Sequence, residues 1–516
     1  MRSPPRSRSW TPSRVPRRAR RIWGPFASTS PVSDTLPALL RAGIDHPLLI
    51  CDDERISYAE AEFRSARLAG ELVTLGAGKG THVGLLYPNG ADFVVAMLAA
   101  ARIGAVVVPF STFLTTAELR SQLLDADVEI MLSAKRFRNH DYAVRLSEVV
   151  NDAPCLRHVL LEPSGPTEPD REPVTALQTD VDASDVLAII YTSGSTGAPK
   201  GVVHTHGALL AHQRNLNAIR GLTATDRLFC NSPFFWVGGF AFGLLATMAA
   251  GATLICSNST DAEATLDLIE AEKPTITNGF LAGIAHLTRH PSLPGRKFTA
   301  RRGNLYPIMA PDCRPADPEL RHNMLGMTET GSVVLIDTDE RDQPEHRRGS
   351  YGRPGSGFET KVLASGELCV RGPYVMQGYY GRNREDCFDA DSWFHTGDLV
   401  RVDDDGYFYF LGRAGAMIKT AGANVTPGEV EQTLAALGYS AHVLGLPDAE
   451  RGQVVAAVVV TNDPAGFDEE AVRRALRLRL SAYKVPHRFT TVPREDVPVR
   501  SSGKVDTTAL AGLFDA

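Results

Sequence analysis

Along the chain, short apolar runs alternate with amphipathic segments. Ser57-Tyr58-Ala59-Glu60 has the spacing of a capping box and predicts a helix running to about Leu75. Residues 82–87 predict a strand, 91–102 a helix and 105–109 a second strand. Thr115 opens a further helix, and 128–133 reads as a further strand. This alternation predicts an α/β fold with mostly parallel sheets flanked by helices. Residues 162–184 are rich in Pro, Glu, Asp and Thr and read as a surface loop. Near the C-terminus, 427–437 reads as a helix, 454–461 as a β-branched strand, 468–480 as a helix and 487–492 as a strand. These make a small α+β lid domain. The expected division is a large domain over 33–411 and a small domain over 412–516, hinged near 412–416.

A length of 516 residues fits more than one domain. Hydrophobic residues at 43% and charged residues at 22% are ordinary for a globular chain, and the net charge of −6 gives no pull toward nucleic acid or an anionic membrane. The first 23 residues differ: they hold eight arginines and no acid. Residues 1–32 are expected to be a disordered basic extension, or to reflect a start codon placed too early, because no amphipathic stripe or secretory core follows. Residues 234–256 carry no charge and are long enough to span a bilayer, but Gly238, Gly239, Gly243 and Gly251 divide them. A buried helix followed by a core strand is expected there, and no transmembrane segment. The seven cysteines are scattered without a C-x-x-C pair, which fits a reduced, cytoplasmic protein.

The chemistry concentrates in 191–202, YTSGSTGAPKGV, directly after the buried-strand pattern of 186–192. Gly194, Gly197 and Gly201 let backbone amides approach an anion, because no Cβ intervenes. Thr192, Ser193, Ser195 and Thr196 add hydroxyl donors, and Lys200 adds a point charge. A polyphosphate needs many donors converging from one side. The loop is not a Walker A motif, since Pro199 precedes Lys200 and Gly201 follows it, and it is not a dinucleotide fingerprint.

With this loop, the chain resembles the AMP-forming acyl-adenylate superfamily, which includes acyl-CoA synthetases, peptide-synthetase adenylation domains and beetle luciferases. The resemblance spans roughly residues 34–510 and rests on several motifs in order. In Gly326-Met327-Thr328-Glu329, it implies that Thr328 contacts the α-phosphate and Glu329 holds Mg²⁺. In Trp393-Phe394-His395-Thr396-Gly397-Asp398, it implies that Asp398 accepts from the ribose hydroxyls, with Arg413 a second ribose contact. In Ser502-Gly503-Lys504, it implies a lysine that bridges the carboxylate and the α-phosphate. Lys419-Thr420-Ala421-Gly422 matches a pattern beside the pantetheine path, and Lys484-Val485-Pro486 is another element common in these synthetases. The implied activity uses ATP, Mg²⁺ and coenzyme A to convert a carboxylic acid to an acyl-AMP and then a thioester, the small domain rotating between the steps. Two other outcomes stay open here: transfer to a carrier-protein thiol or an amine, and a non-catalytic nucleotide-binding homologue. The pattern specifies neither the acid nor an oligomeric state.

The sequence departs from the family at several points. Gly415 stands two residues after the ribose-binding arginine, where Asp or Lys is usual, so no side chain there favours one domain arrangement. Leu325 replaces the usual aromatic residue before the Thr-Glu motif, and 305–321 lacks the familiar Gly-Gly-Ala-Pro turn. Trp236 replaces a histidine and reads equally as an acyl-site gate or a core aromatic. His204 and His206 could suggest a metal pair, but with no third ligand a strand with two hydrogen-bonded histidines is expected.

Overall fold

The computed structural model describes residues 34–40, 46–163, 165, 171–192, 199–413, 417–498 and 505–514. The basic extension expected over 1–32 lies outside them, as do Ser193, Gly194, Ser195, Thr196, Gly197, Gly415 and Lys504.

Two sheets form the centre of the large domain. A seven-stranded sheet runs in the order Gly378–Tyr379, Lys200–Thr205, Val186–Thr192, Val106–Pro109, His82–Leu86, Ile130–Ser133, His158–Leu161. From Val186–Thr192 to His158–Leu161 its neighbours are parallel, as the strand–helix alternation predicts. A six-stranded sheet runs Arg302–Gly303, Ile276–Asn278, Arg227–Cys230, Thr253–Cys256, Pro47–Cys51, Glu54–Ser57. Helix Ala91–Arg102 is buried at every position but Asp92. A helix apolar all round must be covered on all sides. Here its residues share one core with Val83 and Leu187 of the first sheet and Leu48, Leu228 and Leu254 of the second.

The helix starts follow their caps. The Ser57 hydroxyl accepts from the Glu60 amide and opens Tyr58–Thr74. Thr115 and Glu118 form a reciprocal capping box that opens Thr116–Asp125. The uncharged stretch 234–256 folds as a wide turn of helix, Gly238–Leu245, then Ala246–Ala250 and the buried strand Thr253–Cys256. Among the described residues no helix is long and apolar enough to cross a membrane.

One expectation is corrected. The surface loop read over 162–184 contains a helix, Arg171–Asp180. Val174 and Leu177, three residues apart, give it an apolar face that packs into the core. The polar composition had hidden that pair.

In the small domain, Gly452–Val460 lies between Ser440–Asp448, antiparallel, and Arg488–Val492, parallel, and Ile418–Thr420 joins its far end. Helices Pro427–Ala436 and Glu469–Arg477 add Val430, Leu434, Val472 and Leu476 to its core.

Candidate functional site

The phosphate-loop sequence is anchored at both ends. Val186–Thr192 pairs antiparallel with Lys200–Thr205, and Thr192 stands opposite Lys200. The loop thus joins two strands of one hairpin rather than a strand and a helix. Gly201 has a packing role that differs from the sequence reading. A Cβ there would come within 2.7 Å of the Ile189 side chain and 3.2 Å of the Tyr191 ring on the facing strand. Gly201 leaves room for that ring, whose hydroxyl donates to Asp125 at 2.6 Å.

Lys200 and Glu329 meet through a residue the sequence reading missed. The Lys200 ammonium lies 4.9 Å from the centre of the Tyr379 ring. The Tyr379 hydroxyl donates to the Glu329 carboxylate at 2.8 Å. Backbone bonds fix the geometry: Tyr379 pairs with Val202, and the Met376 amide donates to the Glu329 carbonyl at 2.8 Å. No motif marks Tyr379 as chemical, because its role follows from strand pairing across 177 residues (202 to 379). Thr328 is held from below by His204, whose buried Nε2 donates to its carbonyl at 2.7 Å. Burial drives the His204 pKa down to about 4, so the ring is neutral and structural. His206 is not on the strand as expected. It begins helix His206–Arg220, because Thr205 caps that helix, and its Nδ1 accepts from the Leu36 amide at 3.1 Å. Among the described residues no cluster of three His, Cys, Asp or Glu side chains could hold a metal ion.

Asp398 is buried on strand Phe394–Val402, its Cα directly opposite that of Arg413 on Phe408–Arg413. The sequence-predicted ribose pair therefore stands side by side across two antiparallel strands.

A cavity of about 300 Å³ takes in only part of this set; Lys200, Tyr379 and Asp398 are not among its lining residues. Thr192, Pro199, Thr328 and Glu329 line one side of it. Phe235, Trp236, Val237, Phe242, Phe280 and Val333 supply an apolar wall. Trp236 is half-buried and packs against Phe113, Phe235 and Phe280 at ring separations of 6.0, 5.5 and 6.2 Å. It lines the cavity as one member of a half-buried aromatic cluster. The segment 305–321 forms three short turns, Tyr306–Ile308, Pro311–Cys313 and Pro318–Leu320, each with proline in its first turn.

The small domain closes the cavity with Gly422, Asn424, Tyr483 and Lys484. Gly422 has φ +85°, and a Cβ on it would lie 3.1 Å from the Phe280 ring. Asn231 grips Phe280 by both its amide (3.0 Å) and its carbonyl (2.9 Å). Lys419 is not brought to the cavity. It is exposed, with its ammonium 4.7 Å from the centre of the Phe410 ring. Lys484 is buried against Glu118 of the large domain at 2.8 Å and Glu429 of its own at 2.7 Å. Burial would lower its pKa, but Tyr483, Glu118 and Glu429 together hold the ammonium well above its ordinary range.

Residues 39–380 match the AMP-binding enzyme model, and residues 429–504 match the AMP-binding enzyme C-terminal domain. The chain belongs to the AMP-binding enzyme family. Among relatives of this AMP-binding enzyme is a 7a-methyl-1,5-dioxo-octahydro-1H-inden-4-yl propanoyl:CoA ligase of Mycobacterium tuberculosis, 32% identical over 93% of this chain and 98% of that one. A feruloyl-CoA synthase of an Amycolatopsis species is 31% identical over 87% and 92%. Among solved structures, an o-succinylbenzoate CoA synthetase of Bacillus subtilis is similar with a TM-score of 0.74 and 25% identity, covering 93% of this chain and 97% of that one. The AMP-binding enzyme is an AMP-forming acid–thiol ligase, and the reading as a non-catalytic homologue is not favoured.

Proposed function

We propose that this ligase activates an apolar, ring-bearing carboxylic acid with ATP and passes the acyl group to coenzyme A. The observation that carries this reading is one cavity bordered by three kinds of surface. Thr328 and Glu329 face it from the nucleotide side, an aromatic wall lines it, and Gly422 of the small domain enters it.

In the first step a carboxylate oxygen attacks the α-phosphorus, and the bond to pyrophosphate breaks. Lys200 and the loop donors before it hold the departing pyrophosphate, and Thr328 orients the α-phosphate. Lys504 bridges carboxylate and phosphate, which lowers their repulsion. Asp398 and Arg413 fix the ribose. Glu329 offers a carboxylate held by Tyr379, a donor that suits Mg²⁺, which binds through one or two carboxylates plus substrate phosphates. When bound, Mg²⁺ offsets phosphate charge. In the second step the thiol sulfur bonds to the acyl carbon, the bond to AMP breaks and a proton is released. Gly422, packed closely against Phe280, marks the small-domain side from which the thiol would enter the cavity. Lys419 lies outward of that path. Residues 33–411 and 412–516 would be the two bodies that move between the steps. Seven free cysteines suit a reducing cytoplasm.

The apolar character of the acid is inferred from the wall, and its ring from the inden-4-yl propanoyl:CoA ligase named above. Phe235, Trp236, Val237, Phe242 and Val333 carry no charge to pair with a second carboxylate, and Lys484, the cation among the lining residues, is already paired with Glu118 and Glu429. Acid-dependent exchange of pyrophosphate into ATP over a panel of acids tests the reading. Apolar ring acids should stimulate exchange well above short or dicarboxylic acids, and steady AMP release should require CoA. Exchange by no acid, or AMP release as fast with an amine as with CoA, overturns it.

A further inference from the structure

The two domains also meet through a buried ionic triad at the cavity's edge. Lys484 of the small domain reaches Glu118 of the large domain at 2.8 Å and Glu429 of the small domain at 2.7 Å. Their side chains are only 6%, 10% and 13% exposed. The second Glu118 oxygen accepts from Ser481 of the small domain at 2.7 Å, and from the Thr115 amide at 2.8 Å. Thr115, which caps the helix that carries Glu118, also points its hydroxyl at the Arg479 carbonyl, 3.3 Å away in the small domain. Beside them the rings of Phe113 and Tyr483 stand 6.3 Å apart.

We propose that Glu118 is a positioning residue that holds the small domain in the arrangement presenting Gly422, and so serves the thiol-transfer step and not adenylation.

The inference rests on the two-step ligase reading above. Its physical basis is the way the charges are shared. Separating a buried ion pair is normally costly, because it strands a charge. Here neither end is stranded when the domains part. Lys484 keeps Glu429, which travels with it, and Glu118 keeps the Thr115 cap at a helix N-terminus, where a carboxylate is favoured. The Lys484–Glu118 bond can therefore form and break with each rotation. At the hinge, Gly415 has no side chain with which to select one arrangement. The selection must come from contacts made after docking, and Glu118 collects two of them, from Lys484 and Ser481.

The test uses the full-length enzyme with Glu118→Gln, which keeps the side-chain shape and removes the charge. Two half-reactions are measured separately: acid-dependent pyrophosphate exchange, and single-turnover thioester formation from supplied acyl-adenylate with CoA. Glu118→Gln should slow thioester formation about 10- to 100-fold, the range of one charge-assisted hydrogen bond, and leave exchange unchanged or raised. Ser481→Ala removes one of the same contacts with less risk to folding, and should show the same selectivity at a few-fold. Equal losses in both half-reactions, or no loss of thioester formation in either variant, overturns the proposal. Failure of the unaltered enzyme to exchange pyrophosphate with any acid would instead overturn the ligase reading.

Discussion

At the scale of single residues, the proposed mechanism divides the work between groups that serve the first step and groups that serve the second. Lys504→Ala should lower adenylation about 10²–10³-fold, the loss expected when one preorganised charge stabiliser is removed. Thioester formation from supplied acyl-adenylate should be nearly spared, and equal losses in both would contradict the division. Gly422→Ala should behave in the opposite way. The 3.1 Å approach of a Cβ to the Phe280 ring burdens the docked arrangement, while the φ of +85° belongs to the small domain's own hairpin turn and burdens both arrangements alike. Thioester formation should fall by about tenfold or more, with pyrophosphate exchange near that of the unaltered enzyme. Tyr379 shows where single-residue reading stops. Glu329 was legible from its motif, but the hydroxyl that holds it was not, because a tyrosine in a Gly-Tyr pair carries no chemical signature until Val202 pairs with it.

At the scale of elements, hydrophobic pattern and cap chemistry carried most of the fold. Helix Ala91–Arg102 and strand Val186–Thr192 were readable to the residue, because each is a continuous apolar run with clear stops. Helix Arg171–Asp180 was not, since among the described residues it gives the hydrophobic core only Val174 and Leu177, in a polar stretch. The strand and helix Lys200–Thr205 and His206–Arg220 hold three buried histidines, and these set an acid limit on stability. Burial lowers His204 and His206 to about 4 and His212 to about 3. A histidine is near 6.5 in the unfolded chain. The stability they protect is whole above that value and is lost as pH falls toward the folded values, by up to about 1.4 kcal/mol per pH unit for each ring. Hydrogen exchange at pH 7 and pH 5 should show protection over 200–213 falling early. Equal protection at both pH values would contradict the assignment.

At the scale of the whole molecule, one cavity takes lining residues from both family-model matches, among them Thr328 and Lys484. Thr328, Trp236 and Gly422 are far apart in the chain and line one cavity. Lys484 was legible as part of a family element, but its contact with Glu118 was not, because 366 residues separate them and Glu118 carries no motif. The acid was not legible either, since its wall is built from dispersed apolar residues whose spacing has no period. What the whole structure supports is a chemistry in which the acid's own oxygen becomes the link to AMP. The most direct test follows that oxygen. With the best acid of the panel labelled in its carboxylate with ¹⁸O, one turnover with ATP and CoA should leave one labelled oxygen in AMP and none in pyrophosphate. Label appearing in inorganic phosphate, with ADP formed in place of AMP, would contradict the account.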